Sequence, residues 1–278
     1  MSRIVFCGFG KLGVNCLLAL LQNNYKINFI LTHFDMAEES VDRLAKDYSI
    51  PFFYNDLRKD NDITEIDSVS VKDILVSINY RYILEEDFFL KFKYALNIHG
   101  SLLPKYRGRT PHVWSIINGE KEAGITCHSI DKGIDTGDII HQIVVKIDEN
   151  DTGYTLLKKY ESLYSSLLLK SLSILKRGCS FIPQDEEKAT YFGKREPLMG
   201  YIDFYNNVTN IINFIRAQAY PYPGAYCYLP NGDKLIIDEV EVSDLNDNQN
   251  FNIGVPKKIN DIYYVKCDNV ILTILKYR

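Results

Sequence analysis

The sequence predicts an α/β fold, a mostly parallel sheet flanked by helices, with a smaller, mostly β domain on its C-terminal side. Three observations predict it. Short apolar runs alternate with amphipathic stretches along the first part of the chain, the pattern of βαβ units. The first run closes in a glycine turn, GFGKLG, at 8–13. Beyond a polar, turn-rich stretch at 182–204, β-rich runs such as KLIIDEVEV and DIYYVKC replace the alternation.

Each element has its own signal. RIVFCG (3–8) is a short apolar run ended by glycine, a buried strand. KLGVNCLLALLQNN (11–24) places Leu12, Cys16, Leu17 and Leu20 at helical spacing and stops at two asparagines. KINFILTHF (26–34) is a second strand, and EESVDRLAKDYSI a helix with Val41, Leu44 and Ala45 inward. Arg58 to Glu65 is a polar loop leading into a helix start. DILVSIN (73–79) and YALNIH (94–99) are further strands. ITCHSID (125–131) and DIIHQIVVKI (138–147) are two more, joined by glycine-rich loop chemistry. Leu156, Tyr160, Leu163, Leu167 and Leu168 then mark an amphipathic helix that ends at Arg177-Gly178. IPQDEEKATYFGKREPLMGYIDF reads as a linker, followed by a helix near 207–219. The expected domains are therefore 1–185, catalytic and Rossmann-like, and 186–278, linker plus small C-terminal domain.

Composition narrows the function classes. A formal net charge of -4 gives no basic footprint for nucleic acid. No apolar stretch is long enough to span a bilayer, and Gly8 and Gly10 interrupt the only N-terminal run that resembles a secretory signal. The cysteines, Cys7, Cys16, Cys127, Cys179, Cys227 and Cys267, form no CxxC pair, so neither a zinc nor a redox motif is encoded locally. Reduced thiols in a cytoplasmic protein are expected.

Three constellations can carry chemistry. GFGKLG follows a strand, opens a helix, and has Asp35 about 20 residues further on, the dinucleotide fingerprint. It admits three readings: an NAD-type site, another phosphate held at a helix N-terminus, or a tight turn alone. The second is NIHGSLLPKYRG. Asn97 and His99 are two apart at a strand end, so both point to one face, where open α/β sheets present ligand-binding groups. A pair of satisfied strand-end caps is the competing reading. The third is DKGIDTGDII (131–140), in which at least one aspartate is expected to do no more than shape the turn. A carboxylate returned beside His99 orients its ring and stabilises its charged form.

Together these stretches resemble the formyltransferase family. The match is Asn-x-His-x-Ser-Leu-Leu-Pro, Arg-Gly, Gly-x-Thr and Asp-Thr-Gly-Asp, dense over 97–140 and weaker across most of the chain. The resemblance implies N10-formyltetrahydrofolate as formyl donor and Asn97, His99 and Asp135 as the catalytic set, with His99 protonated beside Asp135. It makes GFGKLG the first turn of the fold. SINYRYIL is similar to the family's pterin-side segment, so Asn79 and Tyr80 are expected at the folate. Gly10 and Lys11 are expected near a diphosphate, and a tyrosine of AYPYPGAY, Tyr222 foremost, on the nucleobase, although packing explains those tyrosines equally well. Trp114 is expected in the core. His33, His112, His128 and His141 show no local partner and are expected to be structural.

The branch is argued from what surrounds the motif. NIHGSLLPKYRGRTP is similar to the formyltransferase domain acting on UDP-4-amino-4-deoxy-L-arabinose, but 278 residues leave no room for that enzyme's second, decarboxylase domain. A methionyl-tRNA formyltransferase is expected to carry a basic C-terminal domain, whereas DEVEVSDLNDNQN is acidic. The resemblance therefore favours enzymes formylating dTDP-linked amino-dideoxy sugars for surface polysaccharide, such as a lipopolysaccharide O-antigen, with a homodimer expected. An NAD-dependent oxidoreductase and a non-catalytic nucleotide-sugar or folate binder are the readings from other classes.

Overall fold

The computed structural model describes residues 3–59, 63–178, 180–245 and 250–278. Cys179 and part of the polar loop after Arg58 lie outside them. In chain order the elements are β1 (Ile4–Gly8), α1 (Gly10–Gln22), β2 (Ile27–Leu31), α2 (Val41–Asp47), β3 (Phe52–Phe53), β4 (Ile74–Ile78), α3 (Glu86–Phe89), β5 (Tyr94–His99), β6 (Arg107–Gly108) and α4 (Pro111–Ile117). They continue with β7 (Glu122–Ser129), β8 (Ile139–Lys146), α5 (Gly153–Lys176), β9 (Tyr191–Phe192), α6 (Val208–Ala217), β10 (Ala225–Tyr228), β11 (Lys234–Val242), β12 (Lys257–Ile259), β13 (Ile262–Cys267) and β14 (Val270–Tyr277).

The chain forms two compact units. The first holds Met1–Arg107, Gly124–Val145 and Tyr160–Tyr191, and the second Gly108–Ala123, Lys146–Lys159 and Phe192–Arg278. In the first, a seven-stranded sheet runs β3-β2-β1-β4-β5-β7-β8. The first five of these strands are parallel, and every residue of β1 and β4 is buried, as strands covered on both faces must be. The order reverses around β1 and β4, which opens a crevice at their carboxyl ends. β7 then pairs antiparallel with β5. Val5, Cys7, Phe29, Leu31 and Leu75 bury one face of the sheet against Phe88, Phe89 and Phe92.

The second unit is built on a five-stranded sheet, β10-β11-β14-β13-β12, antiparallel throughout. Helix α6 packs on β11 and on α4. Ile211 and Ile215 join Leu235, Ile237, Val265 and Leu272 in its core. Asn207 caps α6 by accepting from the Asn210 amide N–H, 2.8 Å. Trp114 is half-exposed rather than core: its indole N–H donates to the Gly193 carbonyl, 3.1 Å, and the Arg195 guanidinium lies 4.8 Å from its ring centre. An indole with a polar partner and a stacked cation can stay at the surface, and helical spacing alone does not reveal that.

All five cysteines among the described residues are free and buried. Burial pushes the Cys7 and Cys16 thiols well up and takes those of Cys127 and Cys227 to about 12, which makes them inert packing groups. No helix of the described residues is long and apolar enough to cross a membrane.

Candidate active site

Strand alternation sets the first two groups. Asn97 and His99 share a face of β5, and in the antiparallel register Asn97 stands opposite His128 while His99 stands opposite Thr126. Directly opposed residues point the same way, so a second imidazole joins the pair. The Asn97 amide Nδ2 donates to His128 Nε2, 3.1 Å, and His128 Nδ1 donates to the Ser129 carbonyl, 2.8 Å. Nδ2 carries two hydrogens, so one remains for a substrate carbonyl.

His99 is 7% exposed, and its Nε2 lies 2.7 Å from the Tyr106 carbonyl. A carbonyl only accepts, so Nε2 bears a hydrogen and Nδ1 is the position that gains or loses a proton. The loop carrying Tyr106 is pinned from below. Thr126 Oγ1 donates to the Ser101 carbonyl, 2.6 Å, and accepts from the Leu103 amide and from Gln142 Nε2.

The loop after β7 supplies the carboxylate. Asp131 shapes it, accepting from the Gly133 amide at 3.0 Å and from Thr136 Oγ1 at 2.6 Å. Asp138 returns its carbonyl to the Ser129 amide, 2.9 Å. Between them Asp135, at φ 56°, places Oδ2 3.4 Å from His99 Nδ1 and Oδ1 3.6 Å from His128 Nε2. One aspartate makes the turn and another faces the imidazoles, the division of labour expected of DKGIDTGD.

The charge on His99 departs from expectation. Burial holds its pKa below the usual imidazole value; Asp135 and the Tyr106 carbonyl pull the other way without reversing it. The resting ring is therefore neutral, not protonated. A depressed folded pKa means that the unfolded chain binds the proton first as pH falls below about 6.5. The expected result is stability lost on acidification below that pH, with His99→Asn removing part of the loss. Melting temperatures from pH 7 to pH 5 check it: the variant's curve should be flatter, and parallel curves would contradict it. His33 and His141, also held low mainly by burial, are common to both proteins and cancel.

The crevice between β1 and β4 holds the remaining sequence-derived candidates of the first unit. Gly10 adopts φ 63°, and Asn79 Nδ2 donates to the Phe9 carbonyl at 3.2 Å, tying the end of β4 to the glycine turn. The hydroxyl of Tyr80 donates to the Asn55 carbonyl, and its ring lies 4.9 Å from that of His33. His33 Nε2 accepts the Arg81 amide N–H, 3.1 Å. Lys11 pairs with exposed Glu39. Asp35 accepts from the Ala37 amide N–H in its own turn. Tyr222 belongs to the second unit, hydrogen-bonded to His112 at 2.9 Å. That unit also carries a cavity of about 560 Å³ lined by Ile117, Asn118, Tyr201, Asp203 and Phe214, which contains none of the candidate residues.

An amide donor, a buried neutral imidazole and a carboxylate thus converge at the end of β5. The chain belongs to the formyl transferase family: residues 2–172 match the formyl transferase domain, and residues 195–278 match the formyl transferase C-terminal domain. It is 40% identical over 257 residues to the bifunctional polymyxin resistance protein ArnA of Wigglesworthia glossinidia brevipalpis, covering 87% of this chain and 38% of that protein. The chain thus spans well under half the length of that relative. Among solved structures it is similar to WlaRD, a sugar 3N-formyl transferase determined in the presence of dTDP and 5-N-formyl-THF. There the TM-score is 0.76 at 25% identity, over 98% of this chain and 97% of that one. An N-formyltransferase from Helicobacter canadensis, complexed with folinic acid and dTDP-3-aminofucose, shares the fold at TM-score 0.76, with 24% identity and 99% of each chain covered. Family membership sets aside the oxidoreductase reading of GFGKLG and Asp35.

Proposed function

We propose that this protein transfers the formyl group of N10-formyltetrahydrofolate to the amine of a nucleotide-linked amino-dideoxy sugar, with a dTDP-linked sugar as acceptor. The observation that carries the reading is the convergence of Asn97, His99 and Asp135 at the end of β5 in a chain of this family. Coverage of nearly the whole of WlaRD, a sugar formyl transferase solved with dTDP, supports the acceptor class.

The residues divide the work. Attack by an amine moves negative charge onto the formyl oxygen and leaves a proton to be lost from nitrogen. The second Nδ2 hydrogen of Asn97 donates to that oxygen, the kind of contact that strengthens as charge develops. Neutral His99 takes a proton on Nδ1, where Asp135 Oδ2 stabilises the imidazolium; collapse of the adduct then breaks the bond between the formyl carbon and N10, and that proton passes to N10 as tetrahydrofolate leaves. His128, expected from sequence to be structural, holds the Asn97 amide at the correct angle. Asn79 and Tyr80 border the folate. The Gly10 turn and Lys11 face the diphosphate, which replaces exposed Glu39 as the lysine's partner. The same reading has a cytoplasmic homodimer acting in surface-polysaccharide synthesis and binding no nucleic acid.

A second acceptor, UDP-4-amino-4-deoxy-L-arabinose, is favoured by the NIHGSLLPKYRGRTP resemblance and by 40% identity to ArnA. A panel of dTDP- and UDP-linked amino sugars and charged methionyl-tRNA, incubated with N10-formyltetrahydrofolate and read by the mass of one added formyl group, separates the readings. Formylation confined to dTDP sugars is the expected result. Preference for UDP sugars moves the acceptor to the second reading, and formylation of charged methionyl-tRNA alone overturns both.

A further inference from the structure

We infer that Gln184 is a positioning residue for Asp135, locked in place by buried Arg107, which Glu186 pairs from its exposed edge; the inference rests on the role proposed for Asp135. The distances from Asp135 to the two imidazoles, 3.4 and 3.6 Å, exceed hydrogen-bond length. The position of its backbone decides how far the carboxylate stands from both rings. That backbone is held from the far side. Gln184 Nε2 donates to the Asp135 carbonyl at 2.8 Å and to the Gly137 carbonyl at 2.7 Å, using both amide hydrogens. The two carbonyls flank Thr136, directly after the left-handed φ of Asp135.

Arg107 decides which way the amide points. Its side chain is fully buried, and Nε and Nη2 both donate to Gln184 Oε1, at 3.1 and 2.7 Å. A flipped amide would set its NH₂ against a guanidinium and its oxygen against two carbonyls, so only one orientation is tolerated. Glu186 takes the other edge of the guanidinium in a bidentate pair, 2.9 and 2.6 Å, and the Tyr191 hydroxyl accepts from Nη1. A planar, always-charged donor fork suits this arrangement, and its charge polarises the glutamine amide it holds. The segment that reads as a linker in sequence thus supplies the brace of the catalytic loop.

Gln184→Glu keeps size and the acceptor for Arg107 but turns an oxygen toward the two carbonyls. It should lower kcat by about tenfold or more, since displacements near 1 Å at a reacting group cost up to about a hundredfold. The KM of both substrates should stay within about twofold. In an Asp135→Asn background the same change should add nothing, because both act through one carboxylate. Wild-type kcat in Gln184→Glu, a loss shared with both KM values, or losses that multiply in the double variant would overturn the inference. If Gln184→Glu does not fold, Glu186→Gln carries the test: a several-fold fall in kcat at constant KM supports the brace, and no change refutes it. Should Asp135→Asn alone keep full turnover, the proposed role of Asp135 falls first and this inference with it. An inactive Asp135→Asn beside an unaffected Gln184→Glu removes only the inference.

Discussion

Asn97→Ala, His99→Asn and Asp135→Asn are each expected to lower kcat by about a hundredfold or more while leaving the KM of the sugar nucleotide within a few fold. One oriented donor facing developing negative charge is worth about 3 kcal/mol in the transition state, or roughly two powers of ten in rate. Asn97→Ala removes such a donor, His99→Asn the proton acceptor and Asp135→Asn the counter-charge, and losing either of the last two is expected to cost a similar amount. Asn97→Ala takes away the amide hydrogen that His128 does not use. His99→Asn removes the Nδ1 site that accepts the proton while its neighbour at 3.4 Å remains. Asp135→Asn keeps the shape of the carboxylate and removes its charge, so an imidazolium formed at His99 lies in a buried site with no counter-charge. In the proposed mechanism these groups face the reacting carbon and not the nucleotide, which is why the loss belongs in kcat. Because they act as a unit, double variants should fall little below the worse single one. Steady-state kinetics with both substrates varied checks this; near-normal turnover in His99→Asn would sink the mechanism.

What the sequence disclosed follows from which forces are local. Period-two alternation is local, and it puts Asn97 and His99 on one face. Strand–helix alternation is local as well, and it shows β1, β2, β4 and β5 as a parallel array, while the two-residue β3 carries no such signal. The reversal at β7 is not local. Nothing in ITCHSID states that its neighbour runs antiparallel, so the register that sets His128 against Asn97 was invisible, and His128 appeared to have no partner. Gln184 was hidden for a related reason. Its segment is polar and irregular, the composition of a linker, and its partners Arg107, Asp135 and Gly137 are 47 to 77 positions away. The protonation state of His99 depends on desolvation, which a sequence cannot display; the neighbouring aspartate suggested a charged ring, and burial outweighs it. A paired His and Arg in this fold are therefore better read from who faces them than from which residues adjoin them.

Gly137→Ala should be nearly as damaging to turnover as loss of Asp135, although alanine adds only a methyl group and Gly137 touches no substrate in the proposed mechanism. A Cβ built there meets the Ser129 carbonyl oxygen at 1.8 Å and its carbon at 2.7 Å. Both are backbone atoms of β7, and the strand cannot yield without breaking its pairing with β5, which carries Asn97 and His99. The glycine loop must move instead. Its movement pulls the Gly137 carbonyl from Gln184, at 2.7 Å, and carries Asp135, two residues back, away from His99. Overpacking of this kind costs about 1–3 kcal/mol of stability, and a carboxylate displaced by about 1 Å can forfeit up to a hundredfold in rate. Gly193→Ala provides the matched control, since a Cβ there meets nothing within 4 Å and φ is not left-handed; it should leave turnover and melting temperature as they are. The measurement is kcat alongside thermal melting for both variants. A Gly137→Ala enzyme with unchanged kcat would show that the loop can be re-seated without moving Asp135, and the rigid placement argued for the carboxylate would then be wrong.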